Sequence, residues 1–226
     1  MNIQETLINF MREQAYKPMD ARELGRIFDI KKSEFQEFQN TLNYMEKDGL
    51  IVKTRTEHYG LPERMGLVVG KIQGHQKGFG FLIPDEERPD IFIPSSNLNG
   101  AMHNDRVIVK ILREENNGKK CEGEVIRILE RGNKTVIGVF ENSKNFGFVV
   151  PDEKRIHQDV FIPKGDTMGA KTGQIVIAEI VKWPETRRNP EGKIVDILGK
   201  KGDKGIDILT IIKKYKLPEE FPPKVQ

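Results

Sequence analysis

Two aromatic stretches carry the side chains of this chain best suited to chemistry on a ligand. The first reads Lys77-Gly78-Phe79-Gly80-Phe81-Leu82-Ile83-Pro84-Asp85, followed by Asp90-Ile91-Phe92-Ile93-Pro94. The second reads Lys144-Asn145-Phe146-Gly147-Phe148-Val149-Val150-Pro151-Asp152, followed by Asp159-Val160-Phe161-Ile162-Pro163. On an extended strand alternate side chains share a face, so Phe79 and Phe81 project together and Gly80 faces away. Interrupted by a lysine and glycines, such rings suit a solvent-facing platform on which flat bases stack. The same rings would also serve as ordinary core residues of a small barrel.

Bond-making chemistry finds no equivalent cluster. The carboxylates are scattered, and the recurring ones, Asp85 with Asp152 and Asp90 with Asp159, fall at turns and strand edges, where capping explains them. His58, His75, His103 and His157 are far apart and lack metal-ligand spacing. Neither a phosphate loop nor a nucleophile motif occurs.

Those stretches need strands to hold them. Between Gly66 and Arg131, short β-branched runs alternate with turn residues such as Pro84-Asp85, Asn97-Leu98-Asn99-Gly100 and Asn116-Asn117-Gly118. The runs 67–73, 78–83, 90–93, 106–112 and 123–128 predict five strands with a longer connection after the third, the pattern of a Greek-key OB-fold barrel. From Val136 onward the pattern recurs, with Phe92 matched by Phe161, Val107 by Val176 and Leu129 by Leu198, and two more residues in the loop carrying His157. The chain therefore holds a tandem duplication, with OB-fold domains over 66–131 and 134–199.

Ahead of the barrels, residues 1–62 have helical periodicity. Apolar residues from Ile3 to Met11 predict a helix over 3–14 ended by Pro18, and Asp20 with Glu23 predicts a capping box for a helix over 21–28. Ser33 with Gln36 predicts a second capping box, opening a helix that carries Phe35, Phe38, Leu42 and Met45 on one face and ends at Gly49. A hairpin from Leu50–Lys53 and Tyr59–Leu61 completes the order of a winged helix-turn-helix. The fold class is thus multi-domain: an α/β winged helix followed by two all-β five-stranded barrels. A third helix reading DNA should be basic, yet its polar face offers Glu34, Glu37, Glu46 and Asp48 with Lys47 alone as a base. That favours a helper or protein-contact role.

At Lys-Gly-Phe-Gly-Phe and Asp-Ile-Phe-Ile the chain resembles the two ribonucleoprotein motifs of cold-shock domains. A winged helix ahead of two such barrels is similar to the N-terminal half of the ribonuclease R-type enzymes, 3′-to-5′ exoribonucleases of the ribonuclease II (RNB) family. The resemblance implies RNA-stacking roles for Phe79, Phe81 and Phe92 in the first barrel and Phe146, Phe148 and Phe161 in the second, with Lys77 and Lys144 as flanking phosphate contacts. Where cold-shock proteins carry Trp on the first strand this chain has Ile72 and Val139, and Pro94 and Pro163 replace a histidine, so each barrel should grip RNA more weakly. At ~1–3 kcal/mol per stacked base one missing ring matters. The family's catalytic centre, an aspartate cluster holding Mg²⁺, is not legible here. No cofactor is expected in this chain, and no nuclease activity from it alone.

The tail fits that resemblance. Residues 203–226 read as a linker toward a catalytic domain, with an amphipathic helix over Asp207–Tyr215 and an extended arm, Leu217-Pro218-Glu219-Glu220-Phe221-Pro222-Pro223. Such a tail implies that the natural chain continues past Gln226, or that this is a truncated product. Lys182, Arg187, Arg188, Lys193, Lys200, Lys201 and Lys204 form a basic stretch that would either track phosphates or stay solvated.

The 226 residues carry 37 Lys and Arg against 34 Asp and Glu, a net charge of +3, compatible with a nucleic-acid partner. No apolar run reaches the ~18–20 residues that span a bilayer, and the N-terminus lacks a signal-peptide pattern. The lone Cys121 excludes an internal disulfide and suits a cytoplasmic protein. Three functions stay open. The chain is the RNA-capturing part of a ribonuclease R-like exoribonuclease, with single-stranded or structured RNA, and further the ribosome or RNA-decay proteins, as partners. Alternatively it is a free-standing cold-shock-type RNA chaperone, or a winged-helix DNA-binding regulator.

Overall fold

The computed structural model describes residues 2–114, 120–185, 188–200, 202–203 and 205–215. The chain divides into two compact units, one of Met1–Ile72, Phe81–Asn97 and Asp105–Glu130, the other of Gln73–Gly80, Leu98–Asn104 and Arg131–Gln226.

The first unit begins with α1 (Ile3–Arg12), α2 (Ala21–Ile27) and α3 (Phe35–Lys47), then an antiparallel ladder of β1 (Val52–Lys53) with β2 (Tyr59–Gly60). Helix α1 stops at Glu13, whose N–H turns back to the Phe10 carbonyl, so Pro18 is not what ends it. The capping box at α2 is formed: Asp20 accepts from the Arg22 and Glu23 N–H groups while the Glu23 carboxylate accepts from the Asp20 N–H. The second box does not form. Helix α3 starts one residue later than Ser33 would cap it, at Glu34, which makes no side-chain cap bond. The Glu34 N–H donates to the Lys31 carbonyl, so a turn precedes the helix and places Glu34, not Ser33, at its N-cap. Leu7, Met11, Leu24, Phe38, Leu42 and Met45 meet in the core between these helices.

The first barrel, completed by strands of this unit, contains β3 (Leu67–Gly74), β4 (Gly80–Pro84), β5 (Ile91–Ile93), β6 (Arg106–Arg113) and β7 (Glu122–Glu130). It closes in the order β3-β4-β5-β7-β6, with β3 antiparallel to β6 and β5 parallel to β7 through Phe92 and Glu122. Buried Leu82, Ile91, Ile93, Val107, Val109 and Val125 fill it.

The second unit holds β8 (Thr135–Asn142), β9 (Phe146–Pro151), β10 (Val160–Pro163), β11 (Gln174–Lys182) and β12 (Glu191–Lys200) in the same cyclic order, again closed and again with one parallel pair, β10 with β12. Phe140, Val149, Val160, Ile162, Val176 and Ala178 form its core. Inward-facing positions of the first strands match as Val68 with Val136 and Ile72 with Phe140. That corrects the sequence pairing of Ile72 with Val139: the turn after β3 is one residue longer than the turn after β8, which shifts the first strand by one. Ile72 lies in the core and Val139 is only partly buried.

Helix α4 (Ile206–Tyr215) follows a turn in which the Lys200 N–H donates to the Asp203 carboxylate. Ile206 is buried, and Ile208 and Ile211 are exposed. The arm over 217–223, the basic residues Arg187, Lys201 and Lys204, and the turn at Asn116-Asn117-Gly118 lie outside the described residues. Among the described residues no helix is long and apolar enough to cross a membrane.

Candidate nucleic-acid interface

Strand alternation decides where the aromatic rings point. In β4 Gly80 and Leu82 are buried and Phe81 between them is not, and in β5 Ile91 and Ile93 are buried on either side of a partly exposed Phe92. The same holds in β9 and β10, where Gly147, Val149, Val160 and Ile162 face the core while Phe146, Phe148 and Phe161 face out. Aliphatic residues fill the first barrel and, with Phe140, the second, while the phenylalanines of β4, β5, β9 and β10 lie outside both cores.

In the second barrel the three rings form one cluster. Antiparallel pairing sets Phe148 opposite Phe161 and Phe146 opposite Pro163. Ring centroids are 5.5 Å apart for Phe146–Phe148, 5.6 Å for Phe146–Phe161 and 5.8 Å for Phe148–Phe161. Phe146 remains 37% exposed, enough to offer an apolar plane to a ligand. Lys144 is exposed in the turn that the Ser143 N–H closes on the Phe146 carbonyl.

The first barrel differs in detail. Phe81 and Phe92 lie 5.7 Å apart at 60°. Phe79, expected within the strand beside Phe81, instead precedes β4, because the longer turn closes there. The His75 N–H donates to the Phe79 carbonyl and the Gly78 N–H to the His75 carbonyl. Gly78 takes φ +86°, a left-handed conformation that a residue with a Cβ resists. Lys77 is exposed on this turn, its N–H donating to His75 Nδ1.

Three neighbours of the rings went unread in the sequence. His75 stacks on Phe79 at 4.2 Å and 9°. Lys120 sets its ammonium 5.3 Å from the Phe81 centroid, a cation–π distance. His157 lies against Gly78 in the second unit: a Cβ there would be 3.3 Å from its Cδ2. The first could have been read from its four-residue spacing across a turn. The other two depend on long-range contacts, Lys120 on the bond from the Phe92 N–H to the Cys121 carbonyl.

The local charge is mixed. Burial, and then the nearby Glu141, holds the Asp159 carboxyl above the usual carboxylate range beside β10, and burial lowers His157. An acid of that kind suits the amino edge of a base better than a phosphate. Of the basic stretch, Lys182 is paired with Glu191 and Lys193 with Glu179, each at 2.8 Å, which leaves less free charge than the sequence count implies. Trp183 packs on the core of the second barrel with the Arg131 guanidinium 4.3 Å above its ring.

The acidic edge of α3 is engaged within the first unit. Arg127 of β7 pairs with Glu46, and Arg106 of β6 donates to the Asp48 carbonyl at 2.6 Å while its other nitrogens hold Asp85. Beside them Gly49, at φ +73°, passes so close to β7 that a Cβ would sit 2.6 Å from Leu129. Val52 joins Leu67 and Ile108 in a shared apolar cluster.

Among the described residues no group of three or more His, Cys, Asp or Glu could hold a metal ion. Cys121 is buried and in no disulfide.

Comparison with known proteins agrees with this architecture. The Ribonuclease B OB domain family matches residues 70–128, and the Cold shock domain family matches residues 148–222. Ribonuclease R of Thermotoga maritima is 37% identical over 221 residues, which cover 96% of this chain and 30% of that protein. Ribonuclease R of Acidithiobacillus ferrooxidans is 31% identical over 223 residues, 98% of this chain and 50% of that protein. The chain thus spans half or less of the length of these relatives. Among solved structures, Mycoplasma genitalium RNase R in complex with ribose-methylated single-stranded RNA superposes with a TM-score of 0.60 at 21% identity, covering 70% of this chain and 26% of that one.

Proposed function

We propose, from the homology of this chain to the ribonucleases R over nearly its whole length, that it is the RNA-binding portion of a ribonuclease R-like 3′-to-5′ exoribonuclease. It captures single-stranded or loosened RNA on the phenylalanines of its two barrels and passes it to the catalytic part of such an enzyme. The observation that carries the reading is the outward placement of Phe81, Phe92, Phe148 and Phe161 over cores already filled by other residues. Partly exposed rings outside the core keep apolar area in contact with water, and a flat base laid on them would remove it. Phe79 and Phe146 extend the two faces, and Lys77 and Lys144 are the phosphate contacts.

Mg²⁺ belongs to that catalytic domain, and this chain alone is inactive toward RNA. The helical region serves protein contact, with the ribosome or other RNA-decay proteins as candidates, rather than duplex reading, because the polar face of its third helix carries Glu34 and Glu37 where a phosphate-facing helix would be basic. A cytoplasmic setting accords with Cys121, which is in no disulfide.

Fluorescence anisotropy of a labelled single-stranded oligoribonucleotide tests this directly. Replacing Phe81→Ala/Phe92→Ala or Phe148→Ala/Phe161→Ala is expected to weaken binding at least tenfold, since one stacked base contributes ~1–3 kcal/mol. The salt dependence should change little, because no cation is removed. Folded variants that bind as tightly as the parent chain would refute the stacking platform.

A further inference from the structure

The turn between β3 and β4 differs from its counterpart in a way that duplication alone does not explain. It is one residue longer, and the residue whose N–H closes it on the phenylalanine carbonyl is His75 in the first repeat and Ser143 in the second. The imidazole is not idle. It lies parallel to Phe79, 4.2 Å away at 9°, the arrangement of two stacked bases. The corresponding Phe146 packs against the other two rings of its own cluster and has no histidine at the matching turn position, which is Ser143.

The His75 ring is also fixed in orientation and tautomer. Its Nδ1 accepts the Lys77 N–H at 3.2 Å, which leaves the proton of the neutral ring on Nε2 as a donor. At the tip of the same turn His157 closes on Gly78, with 3.3 Å and 3.4 Å from an ideal Cβ to its Cδ2 and Nε2. It comes from the β9–β10 loop, which has two more residues than its counterpart in the first repeat. Lys77 stays exposed beside both rings.

We infer that His75 is a nucleobase contact of the first repeat: its ring, backed by Phe79, takes one unpaired base of single-stranded RNA, with His157 as the side wall and Lys77 on the phosphate. A plate of two rings at fixed separation continues the stack of a single strand, and a sequence-tolerant ligand of that kind needs no base-edge code. This deepens the RNA-binding reading and rests on it.

The test follows the imidazole signals of the intact chain by NMR during titration with an oligouridylate, alongside anisotropy. The chain has four histidines, so His75→Phe and His157→Gln suffice to assign the two resonances. The ring protons of His75 and His157 should shift on binding while those of His58, in the helical region, stay unmoved. His75→Ala should weaken binding about fivefold, and His75→Phe, which keeps a plate over Phe79, should stay within about twofold of the parent. Binding that is sensitive to Phe148→Ala/Phe161→Ala yet leaves the His75 signals unmoved overturns the subsite and spares the RNA reading. No binding by the unmodified chain overturns both.

Discussion

Asp20 is the residue whose local energetics are most completely defined. Its carboxylate accepts two backbone N–H groups at the start of α2, which hold it below the usual range, the Glu23 bond being the larger influence. Asp20→Ala should cost about 1 kcal/mol in urea unfolding, and Asp20→Asn, which retains the acceptor, much less. The contribution of the charge is fully present above the ordinary carboxylate pKa. It fades as pH falls through the lowered folded-state value, because only the unfolded chain takes up its proton readily over that interval. A pH series of unfolding curves should therefore bring Asp20→Ala closer to the parent protein at acid pH. A gap that stays constant down to the most acid point would contradict the cap.

Helix α3 is best judged as an element. It looks like a recognition helix by position, but its C-terminal end is tied to β6 and β7 by Arg106, Arg127 and the close passage of Gly49. Gly49→Ala should destabilise the first unit by more than 2 kcal/mol, since it adds both backbone strain and a methyl group inside contact distance of Leu129. Arg127→Ala should cost no more than ~1 kcal/mol, as a partly exposed pair does. Thermal unfolding of the two variants would compare them on one scale, and equal losses would mean that charge, not the close approach, holds the helix. Much of this region was legible in advance: the apolar stripe of α3, the capping box of α2 and the glycine after α3 are local signals, and local signals survive folding. The capping box at Ser33 failed because a turn between Lys31 and Glu34 shifts the helix start by one residue, which puts Glu34 at the N-cap. The engagement of Glu46 and Asp48 was invisible, because it depends on arginines some 60–80 residues away in the chain. Strand alternation, by contrast, is a two-residue rule: burial alternates from Gly78 through Leu82, with Phe79 and Phe81 both outside the core, although β4 itself starts only at Gly80.

For the whole molecule the relevant feature is repetition with a modest charge. Two barrels on one chain raise the effective concentration of the second for an RNA held by the first. Wild-type protein should therefore prefer long oligoribonucleotides to short ones that reach one barrel alone, and disabling the rings of either barrel should abolish that preference. Length-series anisotropy measures it, and a variant with one intact barrel that still favours long RNA would argue for a further contact elsewhere. A net charge of +3, with Lys182 and Lys193 already paired, predicts a shallow salt dependence compared with proteins that neutralise many phosphates.

The union of α3 with the first barrel bears on how such a chain can change over generations. Gly49, Arg106 and Arg127 sit far apart in the gene and answer to one another across a single seam. A recombination event joining this helical region to a foreign barrel would strand two arginines and set a glycine against whatever residue replaced Leu129. The helical region and the first barrel are thus expected to be inherited as a pair.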